Sequence, residues 1–190
     1  MKGHLLLVTL GPVQEFIAQA RRSRDLWFGS HLLSELSRAA ACKMADMGVT
    51  LVFPSLDKEE LLPCEGLVRE KNNQPPFNVA NKILAVIPAG INPQEVAKAG
   101  RQGAFQRWQD IAAVCRKKEE LLATDAPNFD KIWQEQVDSF VEYFASWVAW
   151  DGGEEGYTCG RKELESAIAG RKGLREFSQI TYQRAWVSAL

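Results

Sequence analysis

Histidine is almost missing from this chain of 190 residues, which has only His4 and His31. A His-based nuclease centre, a Ser-His-Asp triad or a Cys-His pair has little to draw on. Cysteine is sparse too. Cys42, Cys64, Cys115 and Cys159 lie far apart, with no CxxC and no Cys/His pair at metal spacing, so they read as reduced thiols rather than disulfide or zinc partners. There is no excess of either charge: 23 Lys and Arg stand against 24 Asp and Glu. The overall field therefore draws in neither nucleic acid nor membrane, and any basic patch is local. No stretch is long and apolar enough to span a bilayer. The apolar run after His4 is too short for a signal peptide and lacks the small-residue cleavage site. These absences read together as a cytoplasmic globular protein. Its length suits one domain of ordinary size, or one with a helical appendage, and 46% hydrophobic residues are enough for a real core.

What is present is concentrated between Leu5 and Leu36. Leu5, Leu6, Leu7, Val8 and Leu10 form an apolar run broken only by Thr9, as in a strand buried on both faces. Gly11 and Pro12 stop it with a tight turn, and Pro12 suits a first helical position. Val13, Phe16, Ile17 and Ala20 then fall on one helical stripe, with Gln14, Glu15, Gln19, Arg21 and Arg22 opposite. A helix start after a buried strand leaves N–H groups and partial positive charge that favour an anion such as phosphate. The same turn also occurs in many proteins that bind nothing there. Arg21 and Asp25 are spaced to pair on the helix surface. Trp27 and Phe28 read as core, Gly29-Ser30 as a break or kink, and Leu32, Leu33 and Leu36 restart helical spacing.

Further on, a helix from Leu32 to about Met47 ends at Gly48, a natural C′ glycine. Val49 to Phe53 is a short β-rich run closed by Pro54, and Ser55 to Gln74 reads as a polar surface loop. Pro75-Pro76 opens the next element, and Ile83 to Ile87 is a second apolar run stopped by Pro88. Asn92-Pro93-Gln94-Glu95 is a helix start, with Ala104, Trp108, Ile111, Ala112 and Cys115 on one face. A second helix is expected from about Asn128 to Trp150. Its Phe129, Trp133, Val137, Phe140, Val141, Phe144 and Val148 face either the core or a docked partner. The pattern is an α+β one, the first part of a ferredoxin-like βαββαβ palm with a helical extension. Residues 1–90 hold a strand, a long helix and two strands; residues 91–190 hold the helical remainder. The closing strand is hard to find, Ile180 to Trp186 is a poor candidate, and the palm reads as incomplete.

Two stretches have open readings. Asp151-Gly152-Gly153-Glu154-Glu155 looks like the hairpin on which cyclase and polymerase palms hold Mg²⁺, but such a hairpin needs a strand on each side, and Gly-Gly after a helix is more simply a stop. Arg161-Lys162, Arg171-Lys172 and Arg175 could touch RNA backbone or form a solvated helix face.

Gly11-Pro12-Val13-Gln14-Glu15-Phe16-Ile17, then Ala20-Arg21-Arg22-Ser23-Arg24-Asp25-Leu26-Trp27, Gly29-Ser30 and Leu32-Leu33-Ser34 carry a resemblance. The composite is similar to the start of the first palm domain in the large subunit of type III CRISPR effector complexes, most of all the Cmr-type (III-B) subunit. Val52-Phe53-Pro54, Asn81-Lys82-Ile83-Leu84-Ala85, and Arg171-Lys172 with Arg175 and Phe177 resemble later landmarks in the right order. Ala80 departs from the pattern, where proline is more usual.

The resemblance implies an antiviral, RNA-guided complex in which the large subunit joins other subunits, guide RNA and target RNA. Its paired palms turn ATP into cyclic oligoadenylate. The first palm lacks metal-holding acids and supplies half of a composite ATP site, with Mg²⁺ bound only in the complete two-palm protein. Carried onto this sequence, Gly11, Pro12, Val13 and Gln14 form the phosphate turn, and Ser23, Gly29 and Ser30 lie near the nucleotide. No catalytic and no metal-holding residue is implied here, because the family's Gly-Gly-Asp-Asp belongs to the second palm and its cysteine zinc site lies downstream. With the palm motif beginning almost at Met1, the optional HD nuclease domain is expected to be absent. The chain reads as an N-terminal portion of a longer protein that does not cyclise ATP alone. Two alternatives are a non-catalytic interaction scaffold and a degenerate stand-alone cyclase using Asp151, Glu154 and Glu155.

Overall fold

The computed structural model describes residues 3–55, 79–119 and 128–173. The expected loop beyond Ser55, the Pro75-Pro76 opening, Cys64, the candidate strand at Ile180 to Trp186, and Arg175 and Phe177 lie outside them.

Strand β1 (Gly3–Gly11) occupies the middle of a four-stranded antiparallel sheet of order β2-β3-β1-β4. Its other members are β2 (Thr50–Phe53), β3 (Lys82–Pro88) and β4 (Glu142–Trp150). β1 pairs with β3 through Leu6↔Ala85 and with β4 through Leu6↔Trp147. Both faces of β1 are covered, which is why its residues read as a continuous apolar run. Leu6, Val8 and Leu10 enter a core shared with Leu36, Ala40 and Met44, whereas Leu5 and Leu7 pack with Leu164 and Ile168. Each of these side chains contributes about 1.5–3 kcal/mol by leaving water.

One face of the sheet carries α2 (Ser23–Asp46) and α3 (Pro93–Glu119), and the other carries α5 (Glu154–Gly173). A six-residue α1 (Gln14–Gln19) precedes α2, and α4 (Phe129–Phe140) packs beside the far half of α3. There Trp108 Nε1 donates to the Val137 carbonyl at 2.7 Å and its ring stacks on Phe140. β1-α2-β2-β3-α3-β4 is the ferredoxin-like βαββαβ order, with α1, α4 and α5 added. The palm is closed.

Its closing strand corrects the expected helix from Asn128 to Trp150. The helix stops at Phe140, Val141 turns extended, and β4 follows. Phe140, Phe144 and Val148 recur every four residues, a spacing that a helix and a strand face both satisfy. The intervening residues decide it: Tyr143 and Ala145 face α2 and α3, while Phe144, Val148 and Trp150 face α5, which is period two. β1 also offers β4 a nine-residue ladder of backbone bonds that a helix would leave unmade.

The first helical stretch differs as well. Instead of one helix broken at Gly29-Ser30, α1 ends at Gln19 and α2 runs unbroken from Ser23 to Asp46. The Asp25 carboxylate accepts the backbone N–H groups of Arg21 and Arg22 at 3.1 and 2.9 Å, which starts α2; it is not held by the Arg21 side chain as the spacing suggested. Burial of Gly29 and of every residue from His31 to Cys42 outweighs the roughly 1 kcal/mol that an interior glycine costs. Gly48 has φ +79°, the expected C′ glycine, and the Asn92 side chain accepts the Gln94 N–H at the start of α3.

Asp151-Gly152-Gly153 follows a strand rather than a helix, and a helix rather than a strand comes next. It is a strand-to-helix turn in which Asp151 Oδ1 accepts the Gly153 N–H at 2.8 Å and the Trp150 indole donates to the Gly153 carbonyl. Among the described residues no group of acids, histidines or cysteines could hold a metal ion.

α5 is tied to β3 by Lys82, whose Nζ lies 2.7 Å from Glu165 Oε1, with Arg161 on the same carboxylate. The Lys82 hydrogen bond, and then that of Arg161, hold Glu165 below the usual carboxylate range. Such a group stabilises the fold above its unfolded-state pKa and loses that contribution as pH falls through its folded value. The thermal midpoint difference between wild type and Glu165→Gln should therefore be small but measurable near neutrality and vanish on acidification below the carboxylate range. A difference that grows on acidification would contradict the ion pair.

Candidate functional site

The turn after β1, the first half of α2 and the segment entering β3 enclose a cavity of about 350 Å³. β1 and β3 are antiparallel, so the chain entering β3 must arrive beside the residues leaving β1. Asn81 fixes that meeting: the Leu10 N–H donates to the Asn81 carbonyl at 2.8 Å, and Asn81 Nδ2 donates to the Leu10 carbonyl at 3.1 Å. Two residues earlier, the Val79 N–H donates to the Ser34 hydroxyl at 2.6 Å in a buried contact with α2. Val79, Ala80 and Asn81 thus form one wall, with Val13 and Ile17 beside them and Leu26, Gly29, Ser30 and Leu33 of α2 opposite.

Of the seven expected site residues, Val13, Gly29 and Ser30 line this cavity. Gly11, Pro12, Gln14 and Ser23 are not among its lining residues. Gly11 is buried at the end of β1 opposite Glu142, where an added Cβ would stand 2.8 Å from Oε2 at the far end of the flexible Glu142 side chain. Gln14 and Ser23 are exposed at the starts of α1 and α2. A helix of six residues carries little macrodipole, so the phosphate argument built on this turn is weaker than the sequence implied. The wall from Val79 to Asn81 was missed because its place depends on how β3 pairs with β1.

The lining is apolar apart from Ser30 and Asn81, and it carries no charged side chain. Ile17 and Leu26 of this lining, and Trp27 and Phe28 next to them in the chain, are exposed, Trp27 by 67%. The expectation that Trp27 and Phe28 are core is therefore corrected. Trp27 instead stacks on His31 with the rings parallel and centroids 5.3 Å apart.

The family described as CRISPR-associated protein Cmr2, N-terminal, matches residues 5–113, from β1 through most of α3. The chain belongs to this Cmr2 N-terminal family. The Cmr subunit Cmr2 of the CRISPR system of Pyrococcus furiosus is 29% identical over 161 residues, covering 77% of this chain. That alignment covers 18% of the relative, so the chain spans under a fifth of its length. The Cmr2 match includes all the elements that build the cavity and stops before β4 and α5. No helix among the described residues is long and apolar enough to cross a membrane.

Proposed function

We propose that this region is the first palm of the large subunit of a type III CRISPR complex, and that its cavity is half of a composite ATP site. The supporting observation is that residues carrying the family resemblance, Val13, Gly29, Ser30 and Asn81, converge on one cavity although they come from three separate segments. An uncharged, mostly apolar slot with one hydroxyl and one amide suits a flat neutral group, so the cavity takes the base and leaves the phosphates outside. The described residues do not fit a metal site, so Mg²⁺ would be held by the nucleotide phosphates and the other half of the protein. The exposed apolar group around Trp27 suits the docking of that other half, and cyclic oligoadenylate would be formed only in the assembled protein, with its neighbouring subunits, guide RNA and target RNA.

Calorimetric titration of ATP with Mg²⁺ into the chain, with GTP as control, tests the reading. Ala80→Trp is the informative variant because Ala80 lies on an exposed wall of the cavity, outside any helix or strand. Gly11→Val is less so, since Gly11 is not among the residues lining the cavity. Saturable binding that prefers ATP and weakens at least about tenfold in the filled cavity, a loss of roughly 1.4 kcal/mol, is the expected result. A folded chain that binds no ATP would leave the scaffold role.

A further inference from the structure

We propose, resting on the reading of the cavity as a nucleotide site, that the Asn81 side chain selects the base: it accepts a hydrogen bond from the exocyclic amino group of adenine and rejects a purine with a keto oxygen there. Among the lining residues Ser30 and Asn81 are polar and none is charged. A serine hydroxyl rotates to donate or to accept, so Ser30 does not distinguish an amino group from a keto oxygen. An amide does so when it is prevented from turning over.

Asn81 is held against turning over. Its Nδ2 donates to the Leu10 carbonyl at 3.1 Å. Rotating the amide by half a turn would give up that bond and set Oδ1 against the carbonyl oxygen, acceptor against acceptor. The backbone on either side is held as well. The Asn81 carbonyl accepts the Leu10 N–H at 2.8 Å, and the Val79 N–H donates to the Ser34 hydroxyl at 2.6 Å. Asn81 is thus tied to β1 through main chain and side chain, and its wall is tied to α2, so the amide is set in place before any ligand arrives. Asn81 Oδ1 has no partner among the described residues. What this side chain has left to offer a ligand in the cavity is an acceptor.

Purines differ at the group such an acceptor would meet. Adenine carries an amino donor where guanine and hypoxanthine carry a keto oxygen. The amino group makes a hydrogen bond to Oδ1, whereas a keto oxygen leaves two acceptors facing each other away from water. A site built around a polar group discriminates strongly against a ligand that leaves that group unpaired. Across the cavity Gly29 has no side chain to fill the slot, which leaves the flat face of a ring room to lie against α2.

Calorimetric titration of the whole chain with ATP, purine riboside triphosphate and inosine triphosphate, each with Mg²⁺, tests the role of Asn81. At the deciding position these carry an amino group, a hydrogen and a keto oxygen. Affinity should fall in that order, with ATP at least about tenfold tighter than inosine triphosphate. In Asn81→Leu, similar in size but apolar, that ratio should drop to about twofold or less. A merely structural role would weaken all the nucleotides alike and leave the ratio unchanged. The nucleotide series on the wild-type chain decides the matter even where the variant does not fold. ATP binding without preference over inosine triphosphate, purine riboside triphosphate binding as tightly as ATP, or a preference that survives in Asn81→Leu overturns the role of Asn81 and leaves the nucleotide site standing. A folded chain that binds none of the nucleotides overturns both.

Discussion

Replacing Glu35 with alanine should cost about 3–5 kcal/mol of folding stability, a large part of what a domain of this size holds in reserve. Glu35 lies on the inner side of α2 with its side chain 5% exposed. Oε2 is 3.0 Å from Arg107 Nη2 on α3, and Oε1 is 3.5 Å from Arg38 Nε one turn along α2. Arg38 is fully buried. The two guanidiniums share a carboxylate inside the helix layer, where taking one counter-ion from a buried charge leaves part of its desolvation cost uncompensated. A surface pair of the same composition would contribute well under about 1 kcal/mol. Urea unfolding of Glu35→Ala measures the difference: the midpoint should fall sharply while the slope stays near that of the wild type. A loss below about 1 kcal/mol would mean that water reaches the network and that it behaves as a surface pair.

Gly103→Val should cost about 3 kcal/mol, near the upper end for overpacking. A Cβ at Gly103 would stand 2.7 Å from the Ala39 carbonyl oxygen and 2.7 Å from Lys43 Cγ. Lys43 can swing away, but the Ala39 carbonyl belongs to the α2 backbone and cannot. Valine would therefore push the two helices apart along the contact that holds Glu35 and Arg107 together. Gly103→Ala should fall between wild type and valine, because alanine regains about 1 kcal/mol of helix propensity while still meeting the carbonyl. Thermal unfolding of the three chains should rank them glycine, alanine, valine. Equal midpoints would mean that α2 and α3 can separate freely.

The elements that could be read from the sequence are those whose signal is local. β1 showed itself as an apolar run ended by Gly11-Pro12, α3 by its Asn92 cap, and the end of α2 by Gly48. β4 was hidden because Phe140, Phe144 and Val148 fit two periods at once, and only its pairing with β1 settles which period holds. Gly29-Ser30 looked like a break because propensity is local, whereas the burial that carries α2 through it comes from distant strands. The cavity was half legible. Val13, Gly29 and Ser30 belong to one continuous motif, but the wall from Val79 to Asn81 reaches them only through the register of β3 on β1 and the Ser34 hydroxyl. Trp27 and Phe28 were misread because an aromatic side chain in sequence carries no mark of whether its partner lies in the same chain.

β1 precedes the other described strands in the chain, and one of its two neighbours is the last of them. Gly3 pairs with Trp150 and Gly11 with Glu142, so that edge cannot be closed until nearly the whole described chain has been synthesised. At ordinary elongation rates β1 waits on the order of ten seconds with its most apolar side chains only partly covered. The nascent chain would in that interval be a client for chaperones that shield hydrophobic strands. Folding of the described sheet should therefore be paced by the pairing of β1 with β4 rather than by the rapid formation of α2 or α3.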